Sequence, residues 1–148
     1  MTIGEICNRE VVIVHKDENV IVAAQLMRQH HVGDVVVVEE REGQRIPVGI
    51  LTDRDMVVKV LAGKLDPSHL NVAEVMSAGL ETVNEGEETF PCAERMHCLG
   101  IRRLPVVNTV GALVGIVTLD DLIALLAEQL CDLAAVTTRE RRRENRQS

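Results

Sequence analysis

The feature that most constrains this chain of 148 residues is an internal repeat. A shift of 69 positions aligns the two halves, so that Met27, for example, falls on Met96. Further along the shift becomes 66, and the segment VGILTDRD at 48–55 falls on VGIVTLDD at 114–121. A unit that cannot bury its own apolar face is often stabilised by a neighbouring copy of itself. The sequence therefore predicts two similar units that pack together.

Each unit shows the same order of predicted elements, namely a helical turn, a strand, a helix, two strands and a final helix. The helices follow from apolar residues at helical spacing, and the near-continuous runs DVVVV and LVGIV are typical of strands covered on both faces. The predicted segments are 2–7, 11–14, a helix near Val20, 34–39, 47–51 and a helix from Thr52 in the first unit, and 71–76, 80–83, a helix near Thr89, 104–107, 113–117 and a helix from Thr118 to about Val136 in the second.

The expected boundaries are a first repeat over 1–66, a second over 67–136, and a tail over 137–148. The loop AGKLDPSHLN, with Gly, Pro and Ser, joins the repeats. The tail contains five Arg, two Glu and no apolar residue, so we expect it to be disordered.

Composition excludes several functional classes. The chain is 46% hydrophobic and has one Phe and no Trp or Tyr, so aliphatic residues must form the core. A net charge of −7 argues against a broad surface for nucleic acid or anionic membranes. The apolar runs are too short to span a membrane, and the acidic N-terminus has no apolar signal region, so we expect a cytoplasmic protein.

The repeated T-x-x-D motif, Thr52 with Asp55 and Thr118 with Asp121, has two interpretations. In the first it only caps a helix, the Thr hydroxyl accepting a backbone hydrogen bond and the Asp favouring the positive end of the helix. In the second the same helix start attracts a phosphate, and the carboxylate accepts hydrogen bonds from the two hydroxyls of a ribose. Either copy of the motif alone is a weak signal, and both interpretations stay open.

The duplicated motif, the segments HHVGDVVVV and LGIRRLPVV, and the repeat length together resemble the CBS (cystathionine beta-synthase) domain, two of which form a CBS pair or Bateman module. The resemblance implies an α/β (α+β) fold with two tandem beta-alpha-beta-beta-alpha repeats related by a pseudo-twofold axis. It also implies a regulatory module, not an enzyme, whose two clefts hold an adenosine ligand such as AMP, ADP, ATP, NAD or S-adenosylmethionine. The motif residues would contact ribose and phosphate there.

The resemblance predicts two unequal clefts. Family members often place basic residues before the second strand, and the second repeat has Arg102 and Arg103 there where the first has Gly33 and Asp34. We therefore expect a phosphorylated ligand beside Thr118, Asp121 and Arg103. Arg54 could compensate in the first repeat. The candidate apolar walls for the adenine are Ile50, Ile116 and the segments 11–14 and 80–83.

Three other functional classes remain as alternatives. A thiol or metal enzyme would use Cys92, His97 and Cys98, but their spacing fits no zinc site, and Cys92 aligns with the core position Ala23. Nucleic-acid binding through the tail is disfavoured by its short length and its Glu residues. A ligand-free structural module that forms a homodimer through its helices is the strongest competitor. No protein target is encoded visibly.

Overall fold

The chain forms two three-stranded sheets, one from each repeat, in a computed structural model that describes residues 1–77 and 79–148. In chain order the elements are α1 (Ile3–Ile6), β1 (Ile13–His15), α2 (Val20–His30), β2 (Asp34–Arg41), β3 (Gln44–Thr52), α3 (Asp53–Asp55, continued as π-helix over Met56–Leu61), a 3₁₀ turn (Pro67–His69), α4 (Val72–Val75), β4 (Val83–Asn84), α5 (Thr89–Leu99), β5 (Arg103–Val107), β6 (Leu113–Thr118) and α6 (Leu119–Gln147).

The two sheets have the same topology, which confirms the predicted repeat. In each sheet the first strand runs parallel to the second, and the second and third strands form an antiparallel hairpin. The registers also correspond, since Ile13 lies opposite Val36 in one sheet and Val83 lies opposite Val106 in the other. The parallel pair is connected through a helix because parallel strands need a crossover connection.

Each repeat has its own aliphatic core between its sheet and its helices. Val35 to Val38 are fully buried, as the continuous apolar run predicted. Cys92 is fully buried in the second core at the position that corresponds to Ala23 in the first, which confirms its predicted packing role. Since the single aromatic residue, Phe90, is exposed, Val, Leu and Met fill both cores, with Ala23 in the first and Ile3 and Cys92 in the second.

The short first helix of each repeat packs in the core of the other repeat. Ile3 of α1 belongs to the second core, whereas Val72 and Val75 of α4 belong to the first. Backbone hydrogen bonds fix both helices at corresponding places, with Ile3 N–H donating to Glu87 O at 2.8 Å and Val72 N–H donating to Glu18 O at 2.8 Å. The two repeats therefore exchange their short first helices, and each helix completes the core of the other repeat.

The chain that leaves each short helix continues along the last strand of the opposite sheet. Asn8 pairs with Ile116 of β6, and Ser77 pairs with Ile50 of β3. A glycine precedes each of these strand residues, because a Cβ there would crowd the crossing segment. At Gly49 it would lie 2.5 Å from Met76 Sδ, and at Gly115 it would lie 2.7 Å from Cys7 Sγ and 2.9 Å from Asn8 O.

The tail differs from its prediction. Helix α6 does not end near Val136 but continues to Gln147, so residues 137–147 are helical and not disordered. Extending an existing helix costs no new nucleation, and Arg and Glu are good helix formers. Among the described residues, none of the helices combines the length and the apolar composition that crossing a membrane requires.

We predict that Gly115→Ala destabilises the fold more than the matched variant Gly49→Ala. The new Cβ at residue 115 would meet the backbone oxygen of Asn8, whereas at residue 49 it would meet the end of a flexible Met side chain. Overpacking of this kind costs about 1 to 3 kcal/mol. Thermal unfolding of the two variants measures the difference, and equal melting temperatures would show that the crossing segment at Gly115 is not tightly packed.

Candidate functional site

Both T-x-x-D motifs form capping boxes at the starts of their helices. Thr52 Oγ1 accepts from Asp55 N–H at 3.1 Å, and Asp55 Oδ2 accepts from Thr52 N–H at 3.0 Å. Thr118 and Asp121 make the same two hydrogen bonds, at 3.1 and 2.8 Å. Both copies therefore form the helix cap that either interpretation of the motif requires. The remaining question is which of these carboxylates can also accept hydrogen bonds from a ligand.

The carboxylate of Asp55 is already surrounded by donors. Ser77 Oγ donates to its Oδ1 at 3.3 Å, and Lys59 Nζ lies 3.3 Å from the same atom. Lys59 Nζ also donates to Val75 O at 3.0 Å, so this ammonium joins the last helix of the first repeat to α4. The side chain of Asp55 is only 12% exposed. Burial raises the pKa of Asp55, but the hydrogen bond from Thr52 N–H and the neighbouring Lys59 outweigh it, and the pKa falls below its ordinary value.

Asp121 has fewer partners. Among the described residues, its carboxylate accepts only from the N–H of Thr118. The position that corresponds to Lys59 is Leu125, and the position that corresponds to Ser77 is Asn8, whose side-chain oxygen accepts from Glu10 N–H at 2.9 Å instead. A carboxylate oxygen has room for further hydrogen bonds, so Asp121 retains acceptor capacity that Asp55 has largely used.

A cavity of about 230 Å³ opens between the repeats beside Ile50, and we call it the Ile50 cleft. Ile50 supplies the wall from the first repeat, and the second repeat supplies Leu80, Ile101 and Arg103. Ser77 also lines this cleft, and it donates to Asp55, so the first motif lies directly behind the cleft wall. Two repeats thus contribute apolar walls and one motif to a single concave surface, as ligand sites commonly require.

Arg103 lies in the Ile50 cleft and not only beside the second motif. It is the strand partner of Thr118, but its guanidinium forms an ion pair with Asp34 of the first repeat. Residues 34 and 103 are equivalent positions, so the two side chains meet where the repeats face each other. The prediction that Arg103 is available to a phosphate beside Thr118 and Asp121 is therefore not supported by this geometry, because Asp34 already holds the guanidinium.

The other two candidate arginines lie outside the cleft. Arg102 is 70% exposed, and its guanidinium lies 3.8 Å from the carboxylate of Asp120. Arg54 is exposed and does not line the Ile50 cleft. Both cations lie near the motifs in the sequence, but both side chains are exposed to solvent.

The surroundings of Ile116, which is the equivalent of Ile50 in the second repeat, differ from those of the Ile50 cleft. Ile116 is held by two backbone hydrogen bonds to Asn8, each 2.9 Å long. A cavity of about 500 Å³ lies nearby between β1 and α2, and Val11 and Val32 are among its lining residues. Val14 and Val83, at the ends of the segments predicted to form adenine walls, are instead buried in the two cores. Earlier residues of the two segments, such as Val11 and Leu80, do line cavities.

The cysteine and histidine candidates do not come together. Burial raises the pKa of the Cys92 thiol, which makes its reactive thiolate form scarcer. Cys98, six residues further along the same helix, is exposed. Among residues 1–77 and 79–148, no group of three or more His, Cys, Asp or Glu side chains has a metal-binding arrangement.

Comparisons with known proteins identify what the chain is similar to. The model of the CBS domain family matches residues 3–62 and 72–128. An uncharacterized protein of Methanopyrus kandleri is 37% identical over 123 residues, which are 83% of this chain and 61% of that protein. The present chain therefore spans less than two thirds of that relative.

Two solved structures share the fold closely. The CBS domain protein PAE2072 from Pyrobaculum aerophilum, complexed with AMP, has a TM-score of 0.74 and 25% identity, and the match covers 86% of this chain and 97% of that one. The CBS domain pair of protein MJ0100, in complex with 5′-methylthioadenosine and S-adenosyl-L-methionine, has a TM-score of 0.73 and 26% identity, covering 87% and 98%.

We predict that Asp55→Asn destabilises the chain by about 2 kcal/mol at pH 7, and that Asp121→Asn costs about half as much, because Asp55 has more donors to satisfy. The folded-state pKa of Asp55 is lowered, so its contribution is complete above the unfolded pKa near 4 and is lost as pH falls through the folded value. The difference between wild type and Asp55→Asn should therefore shrink from pH 7 to pH 3. Chemical unfolding at both pH values measures it, and a constant difference would contradict this assignment.

Proposed function

The chain belongs to the CBS domain family, and on that premise we propose that it is a regulatory module that binds an adenosine-type ligand between its two repeats, without catalysis. The observation that carries the proposal is the Ile50 cleft, which combines apolar walls from both repeats with a T-x-x-D motif directly behind the wall, joined to it through Ser77. AMP, ADP, ATP, NAD and S-adenosylmethionine are the candidate ligands. The protein target that would respond to the ligand, and a cytoplasmic location, are part of the same proposal.

We propose that one group of site residues binds the ribose and that another forms the apolar walls that contact the base. Asp121 with Thr118 would bind ribose hydroxyls through its open acceptors. Asp55 with Thr52 would do so by exchanging the hydrogen bond from Ser77 Oγ for one from the ribose, while Ile50 and Ile116 would contact the adenine. Micromolar binding needs about 8 kcal/mol, whereas a hydrogen bond to a charged group contributes about 1.5 to 3 kcal/mol. Burial of the base against aliphatic walls must supply the remainder. Since no aromatic side chain lines the Ile50 cleft, we expect modest affinity.

Structures of related proteins support the choice of ligand class. The neighbours named above were crystallised with AMP in one case and with 5′-methylthioadenosine and S-adenosyl-L-methionine in the other. All three compounds share the adenosine group and differ in what is attached at its 5′ position. A cleft that recognises the shared part explains why members of one family bind such different molecules.

A second candidate function is a structural module that dimerises without a ligand. Helix α6 exposes an apolar row, which we call the α6 seam, at the three-and-four spacing of a coiled coil. Its cationic end contrasts with the acidic remainder of the chain, which favours a second copy as the partner. The α6 seam consists of Ile123, Leu126, Leu130 and Leu133.

We predict that the purified protein binds at least one adenosine compound, and that Asp55→Ala and Asp121→Ala weaken binding by about tenfold or more in their respective clefts through loss of the ribose hydrogen bonds. Calorimetric titration with AMP, ADP, ATP, NAD and S-adenosylmethionine measures this. Asp120→Ala is the matched control, because it removes an exposed carboxylate next to Asp121 that makes no capping bond.

The outcomes of this titration separate the candidate functions. Absence of binding by every compound, with folding and oligomeric state intact, would favour the structural module. Lower melting temperatures with unchanged affinities would mean that the two carboxylates serve only as caps. Chemical turnover of any compound would contradict the non-catalytic proposal.

We predict that the chain is a homodimer and that Leu130→Glu shifts it to the mass of a single chain. A charge in the α6 seam would be buried without a partner in the dimer but would be solvated in the monomer. Light scattering after size exclusion measures the mass, and Ala135→Glu, outside the seam on the same helix, is the control. A dimer that survives Leu130→Glu would exclude the α6 seam as the interface.

A further inference from the structure

The only cation that lines the Ile50 cleft among the described residues is Arg103, and it is already paired. Its partner Asp34 comes from the opposite repeat, and the side chains of Arg103 and Asp34 are 37% and 17% exposed, so solvent screens the pair only in part. A ligand phosphate in this cleft would have to displace Asp34 from the guanidinium or lie beside its carboxylate. Both cost free energy, since a displaced Asp34 loses its opposite charge and a phosphate beside Asp34 meets a charge of the same sign.

The helix start beside this cleft has no free amides to replace the arginine. Asp53 N–H donates to Gly33 O at 2.9 Å, and Arg54 N–H donates to the carboxylate of Asp53 at 2.8 Å. Asp55 N–H donates to Thr52 Oγ1 at 3.1 Å. Phosphates bind at helix starts through such N–H groups, and here the protein itself satisfies the first three.

The remaining charges at the cleft are also unfavourable for an anion. Glu81 lines the cleft, and among the described residues it forms no ion pair. Lys59 is directed to Asp55 and to Val75 O, behind the wall. The volume of about 230 Å³ is also below the range of about 300 to 1,000 Å³ that is common for ligand sites, which fits a compact nucleoside better than a nucleotide with several phosphates.

From these contacts we propose that the Ile50 cleft selects adenosines whose 5′ substituent carries no negative charge, and that Asp34 is the residue that excludes 5′-phosphates by occupying Arg103. This inference rests on the proposed function and specifies the ligand class of the same cleft. Asp34 acts through Arg103, so it is a specificity-determining residue that need not contact the ligand.

The test compares 5′-methylthioadenosine with AMP, using the methyl NMR signal of Ile50 to follow the Ile50 cleft and that of Ile116 to follow the equivalent position in the second repeat. For wild type, the Ile50 signal should respond to 5′-methylthioadenosine at a concentration at least ten times lower than to AMP. Asp34→Asn frees Arg103 and should tighten AMP about tenfold at Ile50, with the affinity for 5′-methylthioadenosine unchanged within about twofold. Asp120→Asn removes the same charge beside Arg102, outside the cleft, and should change neither affinity.

The outcomes distinguish this inference from the proposed function. If neither compound, nor any of the other adenosine ligands, shifts Ile50 or Ile116, the proposed function fails. If AMP binds at Ile50 as tightly as 5′-methylthioadenosine, or if Asp34→Asn leaves their ratio unchanged, the charge selection fails and adenosine binding stands. Should Asp34→Asn not fold, the wild-type ratio and Arg103→Gln decide: AMP binding at Ile50 must be weaker still in Arg103→Gln, because Asp34 is then unpaired.

Discussion

The exchange of the short helices between the two repeats is the contact on which the rest of the structure depends. Ile3 completes the second core, and Val72 and Val75 complete the first. Neither repeat can therefore bury its apolar face without the other, which is the physical reason for the duplication. The segments that leave these helices then add to the edges of the opposite sheets at Ile116 and Ile50, so one exchange fixes both core and sheet edge.

The same exchange creates the cleft. The segment after α4 runs past Ile50, and its residues Ser77 and Leu80 become one wall while Ile101 and Arg103 form another. A ligand held there would touch both repeats at once. It could shift the equilibrium between two arrangements of the repeats only by the difference in its affinity for them, and walls drawn from both repeats make such a difference physically possible.

The repeated pattern was enough to predict the order of elements, both capping motifs and the buried role of Cys92, because these depend on local periodicity and on alignment of one repeat with the other. It was not enough to predict which core each short helix joins, since Ile3 and Val72 have the same pattern and either core would bury them.

The ion pair between Arg103 and Asp34 was not predicted either, although one signal was available. Equivalent positions 34 and 103 carry opposite charges, and equivalent positions meet at a pseudo-twofold axis. The prediction of a disordered tail was wrong because it considered the composition of the tail alone. The preceding helix removes the cost of nucleation, so the tail can continue it.

In a duplicated fold, the positions that stay the same and those that differ carry different information. The Thr and Asp of both motifs remain because each helix start needs its cap, so their retention is explained without any ligand. The positions around them have diverged: Lys59 corresponds to Leu125, Ser77 to Asn8, and Arg103 to Asp34. These differences fill the acceptors of Asp55, leave those of Asp121 open and neutralise the cation at the Ile50 cleft. Divergence at equivalent positions, more than the shared motif, is therefore what makes the surroundings of Asp55 and Asp121 chemically different.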